Sequence, residues 1–168
     1  MTETITKYRW FWVWDFEKEE RWLNEMAQSG WALCKVGPCI YTFEPCEPGD
    51  YFVRLEMHSP DASYTAFLEE IGAEYIGRVF QWTYYRRKAE MGQFDIFSDI
   101  DSRIAHLDRI GRALAIIGGA NLLIGFVNTF SPAHFGWVNL LCATLLMYGL
   151  GRIHGKKEAL EKEKAWRE

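Results

Sequence analysis

The feature that most constrains this chain is a long segment without ionised side chains, residues 113–151, bounded by Arg112 and Arg152. Such a run is too long for a single buried core helix. A polar turn at 128–134, which contains Pro132, divides it into two apolar arms, each of about the 17 to 25 residues that cross a bilayer core. The pattern therefore predicts a transmembrane helical hairpin.

The distribution of basic residues predicts the orientation of this hairpin. Lys and Arg are absent from the turn and cluster on both flanks, at Arg103, Arg109, Arg112, Arg152, Lys156 and Lys157. Basic flanks stay on the cytoplasmic side of a membrane. The apolar run at 10–14 is too short and too closely flanked by charge to be a secretory signal. We therefore expect a cell-membrane protein with both termini in the cytoplasm.

The remainder of the chain is acidic and has room for one compact domain. Residues 1–90 hold ten Lys and Arg against fifteen Asp and Glu, which argues against nucleic-acid binding. We divide the chain into four parts. They are a cytoplasmic α+β domain (1–90), a linker with an amphipathic juxtamembrane helix (91–112), the transmembrane hairpin (113–151) and a basic cytoplasmic tail (152–168).

Residue patterns in the first part predict two similar units, each a strand, a helix and two further strands. The predicted strands are 8–14, 31–36, 40–44, 51–57, 75–79 and 81–86. Gly30 and Gly72 end the two helices. Laying Gly30 on Gly72 places 41–43 over 82–84 after a one-residue slip. We expect two β-α-β-β pseudo-repeats in one antiparallel sheet with both helices on one face, although two amphipathic units can also resemble each other by chance.

Capping residues and small residues complete the predicted helices. Ser59 followed by Pro60 predicts the start of the second helix, and Ser98 or Asp99 predicts the start of the helix that enters the membrane. Within the hairpin, small residues recur every four positions at Gly111, Ala115 and Gly119, a face that lets helices approach closely.

No residue pattern predicts catalysis, a metal site or a cofactor. The four His lie in separate segments, and the four Cys (Cys34, Cys39, Cys46 and Cys142) lack the close pairs of a zinc site, so we expect reduced thiols. Adjacent acids such as Glu19 and Glu20 point apart on a helix and usually belong to a solvated face. The prediction is that the chain is not an enzyme.

Aromatic residues are unusually frequent in residues 1–90. The candidates for a ligand-binding or partner-binding face are Trp10, Trp12, Trp14, Trp31, Tyr41 and Trp82. Trp10, Trp12 and Trp14 would share one face of the first strand and offer flat, rigid surface to an apolar or cationic ligand. The alternative is that the aromatic side chains form the core of a small domain.

The same region resembles a known family. The residues that carry the resemblance lie in 8–88 and include Trp22-Leu23-Asn24-Glu25-Met26-Ala27, Gly30-Trp31, Gly37-Pro38 and Tyr41-Thr42-Phe43-Glu44. They are similar to the bacterial domain-of-unknown-function family 2812. The resemblance implies relatives encoded beside PadR-type repressors and ending in hydrophobic segments, hence a regulatory or stress-response setting. It implies no catalytic residue.

Two functions follow from these patterns. The first is a membrane-anchored cytoplasmic sensor or interaction module that binds a partner protein or a small amphipathic ligand at the aromatic face. The alternative is an accessory structural subunit of a membrane transporter complex. Because two helices cover only one face of a sheet, a protein partner, a second copy of the chain or the lipid surface is expected on the other.

Overall fold

The computed structural model describes residues 3–58, 61–97, 99–130 and 135–167. The chain divides into two compact units, Met1–Ile96 and Phe97–Glu168. The first unit is an α+β domain and the second is a pair of long helices. The predicted class, an α+β fold followed by a C-terminal helical hairpin, is confirmed.

The first unit contains the two predicted β-α-β-β repeats. The first repeat comprises β1 (Ile5–Tyr8), α1 (Phe16–Gln28), β2 (Trp31–Gly37) and β3 (Ile40–Pro45). The second comprises β4 (Tyr51–Met57), α2 (Ala62–Glu70), β5 (Ala73–Val79) and β6 (Trp82–Lys88). Each repeat forms its own antiparallel sheet, with strand orders β1-β3-β2 and β4-β6-β5. The two repeats therefore share one topology.

The pairing register repeats as well as the topology. Trp31 pairs with Pro45 in the first sheet and Ala73 pairs with Arg87 in the second, so residue i of β2 and β3 corresponds to residue i + 42 of β5 and β6. The strands β2 and β5 are irregular at equivalent positions, where Cys34 and Ile76 are left out of the ladders with β3 and β6. The one-residue slip expected from the sequence is absent from this register.

The strands form two three-stranded sheets rather than the single sheet predicted. β2 and β5 lie beside each other without forming a ladder. Each carries a bulge in the ladder of its own sheet, β2 against β3 and β5 against β6. The approach is close at Gly77, where an added Cβ would lie 3.0 Å from Val36 Cγ1. Arg86 bridges the sheets instead, because its Nη1 donates to the Leu33 carbonyl oxygen at 3.0 Å.

The first strand is shorter than predicted, and the strand prediction for 8–14 is wrong beyond its first residue. β1 pairs with β3, and its last partner is Ile40, the residue at which β3 begins. One further backbone bond joins Arg9 N to Cys39 O at 3.1 Å. Beyond that point β3 offers no backbone to pair with, so the chain leaves the sheet and makes a 3₁₀ turn at Val13–Asp15.

Two glycines at the helix ends occupy the left-handed backbone region, as predicted. Gly30 follows α1 with φ +86° and Gly72 follows α2 with φ +82°, a conformation that costs glycine little. The cap predicted at Ser59 and Pro60 lies outside the described residues. The N-cap of α2 is Asp61, whose carboxylate accepts from Ser63 N at 2.9 Å.

The core of the first unit lies where α1 packs against β2 and β4. Its fully buried side chains include Leu23, Ala27, Leu33, Phe43, Val53 and Leu55. A smaller cluster, formed by Leu68, Ala73, Tyr85 and Phe94, lies beneath α2. One helix thus contributes to the burial of both sheets.

The second unit consists of α3 (Ile100–Thr129) and α4 (Gly136–Arg167), and both helices are long and apolar enough to cross a membrane. Of the two predicted caps, Asp99 starts α3, where its side chain accepts from Ser102 N at 2.7 Å in a capping box. Part of the predicted turn, residues 131–134, lies outside the described residues. The helices extend without a break through the predicted juxtamembrane helix and tail.

Three glycines of α3 face α4 at seven-residue intervals. Added Cβ atoms would meet Ile153 from Gly111, Leu146 from Gly118 and Asn139 from Gly125. A seven-residue repeat keeps one face of a helix against its neighbour. Of the stripe predicted at every fourth residue, Gly111 belongs to this contact face, whereas an added Cβ at Gly119 would meet no atom within 4 Å among the described residues.

Candidate functional site

The structure separates the six aromatic residues of the predicted binding face by exposure. The buried members are Trp14, Tyr41 and Trp82, the half-buried member is Trp31, and the exposed members are Trp10 and Trp12. They lie on the segment after β1 and on β2, β3 and β6, so they do not share one strand face. Whether they bind a ligand or partner stays a prediction.

Trp10, Trp12 and Trp14 are nevertheless in contact and form what we call the aromatic ladder. The rings of Trp12 and Trp14 are stacked at 4.9 Å with an interplanar angle of 6°, and Trp10 meets Trp12 edge-on at 5.4 Å. Exposure rises along the ladder from 4% at Trp14 to 40% at Trp12 and 64% at Trp10. The buried ring thus supports two large exposed rings, which lowers the conformational entropy lost when a partner binds.

The opposite side of this segment attaches it to the domain. The Phe11 ring lies 5.7 Å from Trp22 of α1 and 6.4 Å from Tyr41 of β3. The guanidinium of Arg9 lies 5.0 Å from the centroids of both Phe11 and Trp22, a cation–π arrangement. The alternation of side chains therefore places Phe11 on the domain and the aromatic ladder on the other side.

A buried carboxylate on α1 joins the two sheets. Oε1 of Glu19 accepts hydrogen bonds from the hydroxyls of Tyr41 on β3, at 2.7 Å, and Tyr84 on β6, at 2.6 Å. Burial raises the pKa of Glu19 above its usual value, and the two phenol hydrogen bonds oppose that rise. Burial and the nearby Glu19 also raise the pKa of each tyrosine. The assignment of Glu19 to a solvated face is therefore wrong.

The neighbouring carboxylate, Glu20, has a different set of partners. Its Oε2 accepts from the Leu55 backbone N–H at 3.3 Å, and its Oε1 lies 3.4 Å from Nη1 of Arg54. Burial raises the pKa of Glu20 to about 7, against the opposing effect of Arg54. Its assignment to a solvated face is wrong as well, and Glu20 is poised to change charge near neutral pH.

Asn24, one turn further along α1, closes the outer edge of β4. Its amide Nδ2 donates to Val53 O at 3.0 Å, and its Oδ1 accepts from Val53 N at 2.9 Å. These are the two bonds that a neighbouring strand would make. The Asn24 amide satisfies the backbone of Val53, and the Glu20 carboxylate satisfies the backbone N–H of Leu55. An unsatisfied sheet edge would otherwise invite pairing with other chains. Sequence patterns missed this role because it depends on the docking of α1 beside β4.

Other reactive side chains suggest no reaction centre. Within the described ranges, no group of three His, Cys, Asp or Glu is placed to hold a metal ion. All four cysteines are free thiols, and burial raises the pKa of Cys34 and of Cys46, which makes these two less reactive. The buried Glu19 cluster uses both phenol protons internally. The absence of enzymatic activity stays a prediction.

The fold and site define a class of protein: a two-repeat α+β domain followed by a hairpin of two helices able to cross a membrane. A family model described as "Protein of unknown function (DUF2812)" matches residues 15–118, more than half of the chain, and the protein belongs to this family. The match begins after the aromatic ladder and extends into α3. No curated protein and no solved structure matches the chain.

Proposed function

We propose that this protein is a membrane-anchored interaction module. The helices α3 and α4 hold the chain in the cell membrane, and both termini face the cytoplasm. The exposed end of the aromatic ladder, Trp10 and Trp12, binds a partner protein or a small amphipathic ligand. The setting implied by the family resemblance is regulatory or a stress response.

The observation that supports this proposal is the combination of exposure and rigidity at the aromatic ladder. Trp10 and Trp12 are exposed, yet Trp12 is stacked on the buried Trp14. Tyr8 at 77% exposure and Val13 at 38% are further exposed apolar side chains of the same segment. Exposed, preorganised tryptophans are typical of residues that dominate binding energy at protein interfaces.

Site-specific cross-linking in native membranes tests this proposal. A photo-reactive side chain at Tyr8, two residues before Trp10, leaves both exposed tryptophans intact. We expect it to cross-link to a discrete partner, and we expect Trp12→Ala to abolish that product. The matched control is the same photo-reactive side chain at Phe80, which is 82% exposed in the β5–β6 turn and far along the chain from the aromatic ladder.

Unfolding measurements show whether Trp12 is surface or core. We expect Trp12→Ala to leave the unfolding transition of the first unit nearly unchanged. By contrast, Trp14→Ala should cost about 3 to 5 kcal/mol, as truncation of a buried aromatic does. If Trp12→Ala destabilises the unit as much as Trp14→Ala does, the aromatic ladder is core and the proposal fails.

The second candidate is an accessory structural subunit of a membrane transporter complex. It draws on the broad apolar surface of the helices, where Ile116, Leu123, Phe126 and Leu141 are more than 60% exposed. Such side chains can pack against lipid or against other membrane helices. This candidate predicts a stoichiometric integral-membrane protein that co-purifies in detergent whether or not Trp12 is present.

A further inference from the structure

A cleft opens between α3 and α4 near the ends that lead to the two chain termini. Ala115 and Leu150 line it on the side towards the hairpin turn, and Gly111 lies between them and the charged ends. Side chains at Gly111 and Ala115 are too small to fill the space. One half of the cleft is therefore an apolar groove on the surface of the predicted membrane segment.

The other half of the cleft is cationic. It is lined by Arg112, His154, Lys157 and Asp108, together with the buried Leu107 and Ile153. Arg109 lines an adjoining depression together with Arg112. Nζ of Lys157 lies 2.8 Å from Oδ1 of Asp108 and 3.5 Å from Oε1 of Glu161, so both carboxylates are already paired. Arg112 is exposed, and among the described residues it forms no ion pair. Three cationic side chains, Arg109, Arg112 and Lys157, thus lie beside two carboxylates, Asp108 and Glu161.

From this arrangement we propose that the cleft binds an anionic phospholipid, with its phosphate at Arg112 and Lys157 and the start of an acyl chain along Gly111, Ala115 and Leu150. This inference rests on the membrane anchoring in the proposed function. The apolar half lies towards the hairpin turn and the cationic half towards the termini, which is the order of acyl chain and headgroup across an interface. Basic pockets between membrane helices are known to suit anionic headgroups.

A lipid fits this cleft better than a free anion. A soluble phosphate would meet the cationic half and leave the apolar half in contact with water. A phospholipid supplies both chemistries in one molecule, and the apolar contact adds affinity in proportion to the area it buries. The charge complementarity selects an anionic headgroup over a zwitterionic one.

Lipid binding to the purified full chain tests the proposal. The chain is held in a neutral detergent and titrated with phosphatidylglycerol, phosphatidylcholine or glycerol 3-phosphate, and bound lipid is counted by native mass spectrometry. We expect phosphatidylglycerol to bind about tenfold more tightly than phosphatidylcholine. Arg112→Gln should weaken the binding of phosphatidylglycerol by about fivefold, which is the effect of one basic residue near an anionic surface.

Two further variants make the result specific to the cleft. Arg152→Gln removes a basic residue at the same end of α4 but outside the cleft lining, and its affinity should stay within about twofold of the unaltered chain. Ala115→Phe fills the apolar half and leaves every charge in place, so it should weaken the binding of phosphatidylglycerol as well. Ala115 is exposed, so this change does not disturb a packed core.

Several results would overturn the proposal. Equal losses from Arg112→Gln and Arg152→Gln would indicate diffuse surface charge, and no loss from Arg112→Gln or Ala115→Phe would show that the cleft is not the site. Tight binding of glycerol 3-phosphate would indicate a free-anion site. Membrane fractionation separates this failure from that of the proposed function: a chain that sits in the membrane but fails the lipid titration refutes only the lipid site.

Discussion

At the scale of single residues, three polar side chains of α1 bond the helix to the strands. Glu19 points into the interior, where it joins β3 to β6 through two tyrosines. Glu20 and Asn24 bond to the backbone of β4. A hydrogen bond stabilises a protein by roughly 0.5 to 1.5 kcal/mol between neutral groups and roughly 1.5 to 3 kcal/mol when one group is charged, so these contacts matter to a small domain.

The raised pKa of Glu20 predicts a pH-dependent stability. The folded-state pKa of about 7 lies above the unfolded value near 4.5, so the native state binds more protons between these pH values. The free energy of unfolding should therefore fall as pH rises from about 4.5 to 7 and level off above pH 7. In Glu20→Gln this contribution is absent, a difference of roughly 3 kcal/mol across the window.

Urea unfolding of the full chain in detergent, followed by tryptophan fluorescence at several pH values, measures this difference. The quantity compared is the free energy of unfolding of Glu20→Gln minus that of the unaltered chain, which should rise between pH 5 and 7. Glu25→Gln is the matched control, because Glu25 is an exposed carboxylate on the same helix. A flat difference for Glu20→Gln would contradict the assigned environment.

At the scale of elements, the helix pair depends on glycines that let α3 and α4 approach. Replacing Gly125 by Leu should separate the helices, since an added Cβ would lie 2.9 Å from Leu140 Cδ2 and 3.1 Å from Asn139 Cβ. Overpacking of this kind costs about 1 to 3 kcal/mol. The unfolding transition of the hairpin in detergent, followed by helical circular dichroism, should move accordingly.

Gly119→Leu is the control for this prediction. It makes the same chemical change on the same helix, but no described atom lies within 4 Å of an added Cβ there. The greater helix propensity of Leu should leave the stability unchanged or raise it by up to about 1 kcal/mol. If Gly119→Leu is the more damaging of the two, the packing face of α3 is misassigned.

At the scale of the whole molecule, the central proposal is that α3 and α4 insert into the membrane. Leu123 is 70% exposed within the uncharged arm of α3. Leu123→Arg should cost roughly 2.5 to 3.5 kcal/mol of insertion free energy if that surface faces lipid. We expect the unaltered chain to resist carbonate extraction from membranes and the variant to be extracted or degraded.

A hairpin that lies in water would give a different and equally specific result. If the hairpin lies in water, Leu123→Arg replaces an exposed apolar side chain with a soluble one, and the variant should then be more soluble than the parent. Leu123→Phe serves as the control, because it changes size without adding charge. A chain that remains monodisperse in buffer without detergent would remove the basis for membrane anchoring.

The sequence by itself determined the features that local patterns encode. The repeated β-α-β-β order, the left-handed positions at Gly30 and Gly72, and the two long apolar helices follow from periodicity, composition and backbone sterics within short windows. The location of the exposed aromatic side chains at Trp10 and Trp12 was anticipated only in part, because exposure of a ring depends on what packs against it.

The tertiary structure alone decided which elements meet. β1 ends at Tyr8 because β3 begins at Ile40, and the six strands form two sheets because β2 and β5, although they lie beside each other, form no ladder. Glu19 is buried because two tyrosines distant in sequence converge on it. Local patterns specify a side chain's neighbours along the chain, whereas burial, pairing and pKa are set by atoms that only folding brings close.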